Sequence, residues 1–333
     1  MKNWLLEFLD CSFTRIRVSR YSRDSNEIFS GIIFCDTKEY FIRRGIPILL
    51  NPKKRRKLSK LRGLYEALPA APWKAIENSW VKHMRLIHFL LLQEAVKMVK
   101  DKRREINALA LGCGWGWEVW ALSKLLGSQY EAKIIGIDIA SKPLKLARKI
   151  LAKSDMENIE FCVAAAEELP FKSDSFHVVL GIFGSLDHSE EYPKIFLEVS
   201  RVLKRDGIFV FTVLNRFSLD WLLKVALKPN LLLKTIKKMR EPFTRVTIPL
   251  PDGGSVRIPT HYYTPSEAFR LLKLAKLTPI KVRSIFSLLP MNFKKKKFSA
   301  FHRVLHKLDY YGSSAPLLKY AGRYLGIIAK KSL

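Results

Sequence analysis

Ile106-Asn107-Ala108-Leu109-Ala110-Leu111-Gly112-Cys113-Gly114-Trp115-Gly116 decides how the rest of the chain reads. Its first six residues form a short apolar run of the length a buried parallel strand needs. Glycines then alternate at Gly112, Gly114 and Gly116, so the backbone can turn tightly and approach a ligand where a Cβ would clash. A helical pattern follows (Val119, Leu122, Leu125, Leu126), and then a second apolar run, Lys133-Ile134-Ile135-Gly136-Ile137, ends in Asp138. Asp138 lies roughly 20 residues beyond the glycine turn, where a nucleotide-binding βαβ unit sets a carboxylate against a ribose diol.

The glycine spacing narrows the ligand. A dinucleotide site reads G-x-G-x-x-G and holds a pyrophosphate at the helix N-terminus. Here the third glycine comes one residue early, at Gly116, and Trp117 stands in the fingerprint's place. The run Ala108–Gly116 resembles motif I of the class I S-adenosylmethionine-dependent methyltransferases, whose fold binds a single nucleoside carrying an amino acid.

Beyond Asp138 the pattern keeps alternating. Ser141 is placed to cap a helix through about Ala152, and Ile159–Val163 reads as a third strand. Asp174–Leu180 reads as a fourth, and a helix is expected from Ser189 with Glu190 and Glu191 in its first turn. That helix should end near Gly207 as a left-handed stop, before a fifth strand over Ile208–Leu214. Strands alternating with helices predict a parallel α/β sheet with right-handed crossovers. Ala166-Glu-Glu-Leu-Pro-Phe171, Asp174-Ser-Phe176, Leu186-Asp-His188 and Glu198–Lys204 are similar to the group that includes the ubiquinone/menaquinone C-methyltransferases. Tyr263-Thr-Pro-Ser-Glu267 resembles that group's late helix start, and it is also a capping box with Pro265 in the first turn. Ile280–Ile285 and Tyr324–Lys330 stand where its last antiparallel strand pair lies.

The resemblance covers about residues 84–333. It implies a Rossmann-like seven-stranded methyltransferase sheet with S-adenosylmethionine as cofactor. It places Gly112, Gly114, Gly116 and Asp138 on that cofactor, with Ala166 and Glu167 near the adenine. The chain departs from the group in two places: Ala110 and Ala165 stand where an acidic residue is usual. Each bond so lost to a buried ligand group costs about 1–2 kcal/mol.

Residues 1–52 read as a small β-rich unit. Leu5–Cys11, Cys35 and Gly45–Leu50 resemble the zinc ribbon of small activators of tRNA and rRNA methyltransferases, also found fused ahead of many methyltransferases. Such ribbons carry two C-x-x-C knuckles because tetrahedral zinc takes four ligands. Here Thr14 and Lys38 replace the second cysteine of each knuckle, which predicts a degenerate, metal-free unit. A Cys11–Cys35 disulfide is possible geometrically but disfavoured in a reducing cytosol. Residues 53–83 form a basic linker, and Lys53–Lys57 reads as a solvated charge run. Apolar positions from Trp80 to Val99 recur at helical spacing. Trp73, Trp80 and His83 read as packing more readily than as a pocket border.

The chain has 333 residues, 48% of them apolar, so a large core is available and disorder is excluded. No apolar run approaches the ~18 residues of a membrane span, and the acidic N-terminus does not read as a signal peptide. A cytoplasmic protein is the expectation, with peripheral membrane association open. Net charge is +29, distributed as +8 over residues 1–60, +4 over 61–105, −1 over 106–216 and +18 over 217–333. The cofactor half is neutral and the flanks are basic, so anionic membrane and RNA both stay open as partners.

His188 follows the fourth strand and is placed to remove a proton from an oxygen or nitrogen acceptor, with Asp187 as the alternative. His261 and Tyr262 are weaker candidates. Residues 215–263 form an insertion read as a helical and hairpin lid. It holds an apolar helix over Ser218–Lys228 stopped by Pro229, an amphipathic stretch over Asn230–Arg240, and a hairpin around Pro251–Gly254. Leucines interleaved with lysines there favour a small or amphiphilic, lipid-like acceptor at a membrane surface. An RNA acceptor is the alternative, since phosphate contacts need only clustered Lys and Arg, although RNA binders usually display stacking aromatics. A non-catalytic partner protein is a third reading. A further amphipathic helix is expected after Phe293–Phe298.

Overall fold

The computed structural model of the chain describes residues 1–12, 14–22, 27–67, 79–99, 105–127, 130–152, 158–227, 243–249, 254–286, 304, 308–309, 311–316 and 318–332. A 3-10 turn over Asn3–Phe8 leads into four short strands, β1 (Thr14–Tyr21), β2 (Ile28–Cys35), β3 (Lys38–Arg43) and β4 (Ile46–Ile48). They alternate apolar and polar residues and pair in sequence as an antiparallel meander. Three helices follow, α1 (Pro52–Lys57), α2 (Ser59–Ala67) and α3 (Ser79–Met98). The αβ alternation then runs β5 (Glu105–Leu111), α4 (Trp117–Leu126), β6 (Glu131–Asp138), α5 (Ser141–Leu151), β7 (Ile159–Val163), β8 (Phe176–Gly181), α6 (Tyr192–Val202) and β9 (Leu203–Leu214). After β9 come α7 (Leu219–Leu227), a separate hairpin of β10 (Phe243–Pro249) and β11 (Ser255–His261), α8 (Pro265–Leu274), β12 (Leu277–Ile285) and β13 (Tyr324–Lys331).

One sheet of 11 strands runs β1-β2-β3-β4-β7-β6-β5-β8-β9-β13-β12. Within it, β7 through β9 are parallel and β13 is antiparallel to both neighbours, which is the seven-stranded arrangement the resemblance implies. The N-terminal meander is continuous with that sheet, for Ile48 pairs with Val163 and the Leu49 amide donates to the Val163 carbonyl at 2.8 Å. In this way β4 covers an edge that β7 would otherwise leave open. β5 and β6 are buried on both faces, and two apolar layers result. Phe176, Phe196, Phe209 and Phe211 lie in one; Leu122, Leu144, Ala147 and Phe161 lie in the other. The chain winds from β5 toward β7 and then returns to the far side with β8. The crevice beyond the carboxyl ends of β5 and β8 is therefore the switch point where such sheets bind ligands.

Several local expectations are corrected. The run Lys53–Lys57 is not a solvated linker: it is α1, capped by Asn51, and Lys54 is buried with its ammonium on Glu191. α5 is not capped by Ser141, which is its first residue. The Glu66 carboxylate takes the amides of Ser141 (2.6 Å) and Lys142 (3.0 Å) instead. α6 opens at Tyr192 and not at Ser189, whose hydroxyl accepts from the Glu191 amide at 3.1 Å. The turn after α6 takes its left-handed residue at Asp206 (φ 65°), not at Gly207. Cys11 and Cys35 are joined in a disulfide, against the expectation from a reducing compartment.

Other expectations hold. Thr264 accepts from the Glu267 amide at 3.1 Å with Pro265 in the first turn of α8, as the capping box requires. His83 is buried and bonded to Asp309 at 2.7 Å, a packing role. Trp73, the side chain of Trp80, the stretch Asn230–Arg240, the turn at Pro251–Gly253 and the segment Phe293–Phe301 lie outside the described residues. Among the described residues no helix is long and apolar enough to cross a membrane.

Candidate active site

The loop after β5 is built by the three glycines, each at positive φ: Gly112 57°, Gly114 48° and Gly116 79°. Gly112 and Gly116 make close approaches. A Cβ at the first would sit 2.7 Å from Ser185 Cβ, and one at the second 3.0 Å from Ala147 Cβ, on α5. Gly114 differs, because a Cβ there would meet nothing within 4 Å. Its backbone borders open space, as a loop that receives a ligand must.

Asp138, at the end of β6, holds this loop. One carboxylate oxygen accepts from the Gly114 amide (3.0 Å) and the other from the Ala140 amide (2.8 Å). Burial pushes its pKa up to about 6, and the backbone donors pull the other way. The group is therefore ionised at neutral pH and keeps lone pairs for further donors. Glu118, in the first turn of α4, is pushed up to about 7 by burial. Nothing acidic stands at Ala110, which is buried between Gly136 and Leu180; the loop is closed by the Cys113 amide on the Ile137 carbonyl at 2.9 Å.

Ala166 and Glu167 lie just past β7, beside the end of β6, where the Ala164 amide reaches the Asp138 carbonyl at 3.2 Å. Ala165 is buried and contributes only backbone, its carbonyl accepting from the Glu168 amide at 3.2 Å. Glu167 Oε1 accepts from the Ser189 hydroxyl, and Glu168 from the Asn51 side chain.

The loop after β8 carries the other candidates. His188 Nδ1 is 3.0 Å from the Pro259 carbonyl, on β11. A carbonyl only accepts, so Nδ1 carries the proton and Nε2 keeps its lone pair. Among the described residues Nε2 has no hydrogen-bond partner, and burial lowers the imidazole pKa. A neutral histidine held in one tautomer with a free Nε2 has the form of a general base.

Asp187 is fully buried. Its Oδ1 accepts from the Leu214 amide at 3.2 Å, its carbonyl accepts from the His261 amide at 2.7 Å, and Oδ2 has no partner. Burial pushes its pKa up to about 8, so it is largely protonated at neutral pH and ties β9 and β11 to this loop. His261 is committed to packing: it stacks on Tyr192 at 4.2 Å and meets Glu267 at 3.0 Å. The Tyr262 carbonyl accepts from Arg216 Nε at 3.1 Å.

Two groups in the crevice are not foreseen by the sequence. α2 crosses it and sets Tyr65 6.1 Å from the His188 ring, while Glu66 anchors α2 to the start of α5. The other is Phe183, two residues past β8, which holds a left-handed backbone (φ 57°) and stays 42% exposed. Its amide donates to the buried Thr212 hydroxyl at 2.8 Å. A bulky residue held at positive φ costs about 1–3 kcal/mol and clusters at functional sites.

Residues 102–258 match a family model described as a methyltransferase domain. An uncharacterised protein of Methanocaldococcus jannaschii is 32% identical over 211 residues, 63% of this chain and 72% of that protein. The chain carries a class I S-adenosylmethionine-dependent methyltransferase domain. The demethylmenaquinone methyltransferase of Lactococcus lactis is 35% identical over 102 residues, 31% of this chain and 39% of the relative. The uncharacterised methyltransferase YcgJ of Bacillus subtilis is 32% identical over 108 residues, 32% of this chain and 40% of the relative. The chain thus spans about two-fifths of the length of these two named methyltransferases. The fold is also that of a solved Haloferax volcanii complex of the Trm112 methyltransferase activator with a methyltransferase. That likeness has a TM-score of 0.50 at 16% identity, over 82% of this chain and 97% of the other.

The residues present fit S-adenosylmethionine. The open face of Gly114 leaves room for its backbone approach, and Asp138 keeps acceptor capacity for a ribose diol. When bound, the cofactor supplies a methyl group on a sulfonium, and the methyltransferase's own part is to align an acceptor and exclude water.

Proposed function

We propose that this methyltransferase acts on an oxygen or nitrogen whose proton His188 Nε2 removes. The observation that carries the reading is the Pro259 carbonyl on Nδ1, which fixes the tautomer with Nε2 free. Asp187 is too protonated to share that work and serves as a brace. The cofactor roles follow the same reading: Gly112, Gly114 and Gly116 shape the loop, Asp138 takes the ribose, and Ala166 and Glu167 flank the adenine. Residues 215–263 act as the lid, since β11 supplies the Pro259 carbonyl.

The acceptor we favour is a small or amphiphilic molecule. α7 follows the carboxyl end of β9, and its Leu222 and Leu223 are 46% and 54% exposed, with Phe217 exposed before them. Apolar side chains left in water at the rim of a crevice suit an apolar acceptor or a lipid surface. The Lactococcus lactis relative is named for a demethylmenaquinone acceptor, which agrees in kind. A second reading, an RNA acceptor, draws on the outer face of β1–β3. We read residues 1–52 as a metal-free relative of the zinc ribbon, because Cys11 and Cys35 bind each other and no thiolate pair remains there.

The test is the pH dependence of kcat in the wild type and in His188→Gln. The wild type should lose activity as pH falls through the lowered histidine pKa. The variant should lose about 100-fold or more and that acid limb with it. Unchanged turnover in the variant would remove His188 as the base.

A further inference from the structure

The outer face of the N-terminal meander has a composition the catalytic crevice does not explain. Cross-strand register places Arg15 beside Phe34 and Glu39, and Arg17 beside Ile32, Phe41 and Ile48. Arg20, Ser30 and Arg43 form the next row. The opposite face carries Ile33, Tyr40 and Ile42 into the core, so side-chain alternation leaves the first set outward. Phe41 is 44% exposed, Phe34 and Ile32 are half-buried, and the arginines are exposed. None of Arg15, Arg17, Arg20 or Arg43 forms an ion pair among the described residues. Two of them lie over aromatic rings, Arg17 5.6 Å from the Phe34 centroid and Arg20 5.3 Å from that of Phe29.

A solvated charged face would carry both signs and no exposed rings; here one carboxylate, Glu39, faces four guanidinium groups. A membrane-inserting face would carry projecting aliphatic side chains, as α7 does. Flat rings seated between arginines on a sheet match what unstacked bases and their phosphates require together. The rings offer stacking surfaces, and the guanidinium groups offer phosphate contacts and cation–π capacity. We propose that the outer face of β1–β3, through Phe34, Phe41, Arg15, Arg17 and Arg43, binds single-stranded RNA.

The face adjoins the chemistry. β3 lies four strand spacings from β5, about 20 Å, and β4 ends beside β7, whose loop carries Ala166 and Glu167. RNA held there would lie beside the crevice without changing which acceptor the crevice takes, so the amphiphile reading and the base chemistry both stand. The proposal goes beyond the His188 reading and does not depend on it: one is read by binding, the other by turnover.

The test uses the full-length protein and a fluorescein-labelled 12-nucleotide single-stranded RNA of mixed sequence, with fluorescence anisotropy across a salt series. A duplex of the same sequence and vesicles of anionic phospholipid serve as comparisons. Phe41→Ala should weaken single-strand binding ~10-fold. Arg15→Ala/Arg17→Ala should weaken it by a similar factor and flatten the salt slope by about 1–1.5. Lys97→Ala/Lys124→Ala removes two exposed charges on α3 and α4 and should change little. S-adenosylhomocysteine binding by each variant reports that it is folded. The proposal is overturned if RNA fails to bind at low salt, if duplex or vesicles bind better than the single strand, or if the control pair weakens binding as much as the face variants do.

Discussion

Replacing Asp138 by asparagine tests the cofactor geometry with the least disturbance, because the side chains are nearly isosteric. Asp138 holds the Gly114 and Ala140 amides at 3.0 and 2.8 Å and, in our reading, takes two ribose hydroxyls on its remaining lone pairs. Asparagine keeps one acceptor oxygen and turns an amino group on the other donor. Hydrogen bonds to a charged group contribute about 1.5–3 kcal/mol each. Losing the charge beneath two hydroxyls should then cost about 3 kcal/mol, a rise in Kd of ~100-fold. The pH dependence follows from the carboxyl pKa, raised to about 6 by burial. A carboxylate loses its charge as pH falls through its pKa, so the wild type is almost wholly ionised at pH 7.5 and about one-tenth ionised at pH 5. Its affinity should fall about tenfold between these values, while that of Asp138→Asn should change less. Titration calorimetry with S-adenosylhomocysteine at the two pH values measures both. A variant that binds within threefold of the wild type at pH 7.5, or a wild type equally tight at both values, would refute the assignment.

Gly114→Ala puts a Cβ into the open space of the loop at φ 48°, and should weaken S-adenosylhomocysteine at least tenfold while lowering Tm by a few degrees. Glu66→Ala removes the cap of α5, worth about 1–2 kcal/mol, and frees α2. Urea unfolding should show the loss. Asp187 holds its proton in the fold up to about pH 8 but releases it near 3.8 when unfolded. The native state therefore binds more protons between these values, and Asp187 makes stability fall as pH rises through them. Asp187→Asn should flatten that slope, as seen in urea midpoints at pH 5 and pH 8.

What the sequence shows clearly is local. β5, its glycine loop, β6 and Asp138 lie within 34 residues, and each is set by its own period, turn or spacing. The capping box at Thr264 is legible for the same reason. Contacts that join distant segments are not legible. Lys54 reads as a solvated charge because its partner, Glu191, is 137 residues away. The tautomer of His188 depends on a carbonyl 71 residues later, and the anchor of α2 depends on α5. The outward face of β1–β3 needs the register of three strands before its arginines and phenylalanines fall into rows. Compartment argues against the disulfide, but geometry does not: its Cα atoms lie 5.3 Å apart once the hairpin forms.

The most direct measurement of the central claim is transfer of radiolabelled methyl from S-adenosylmethionine. The purified protein is incubated with an extract of cellular lipids and small molecules and, separately, with total RNA, beside His188→Gln in each. We predict label in the organic phase with the wild type, and at least 100-fold less with the variant. Label in acid-precipitable RNA would move the acceptor to the polymer and leave His188 in place. No label in either fraction from a protein that binds S-adenosylhomocysteine, or equal label from His188→Gln, would contradict a His188-based methyltransferase.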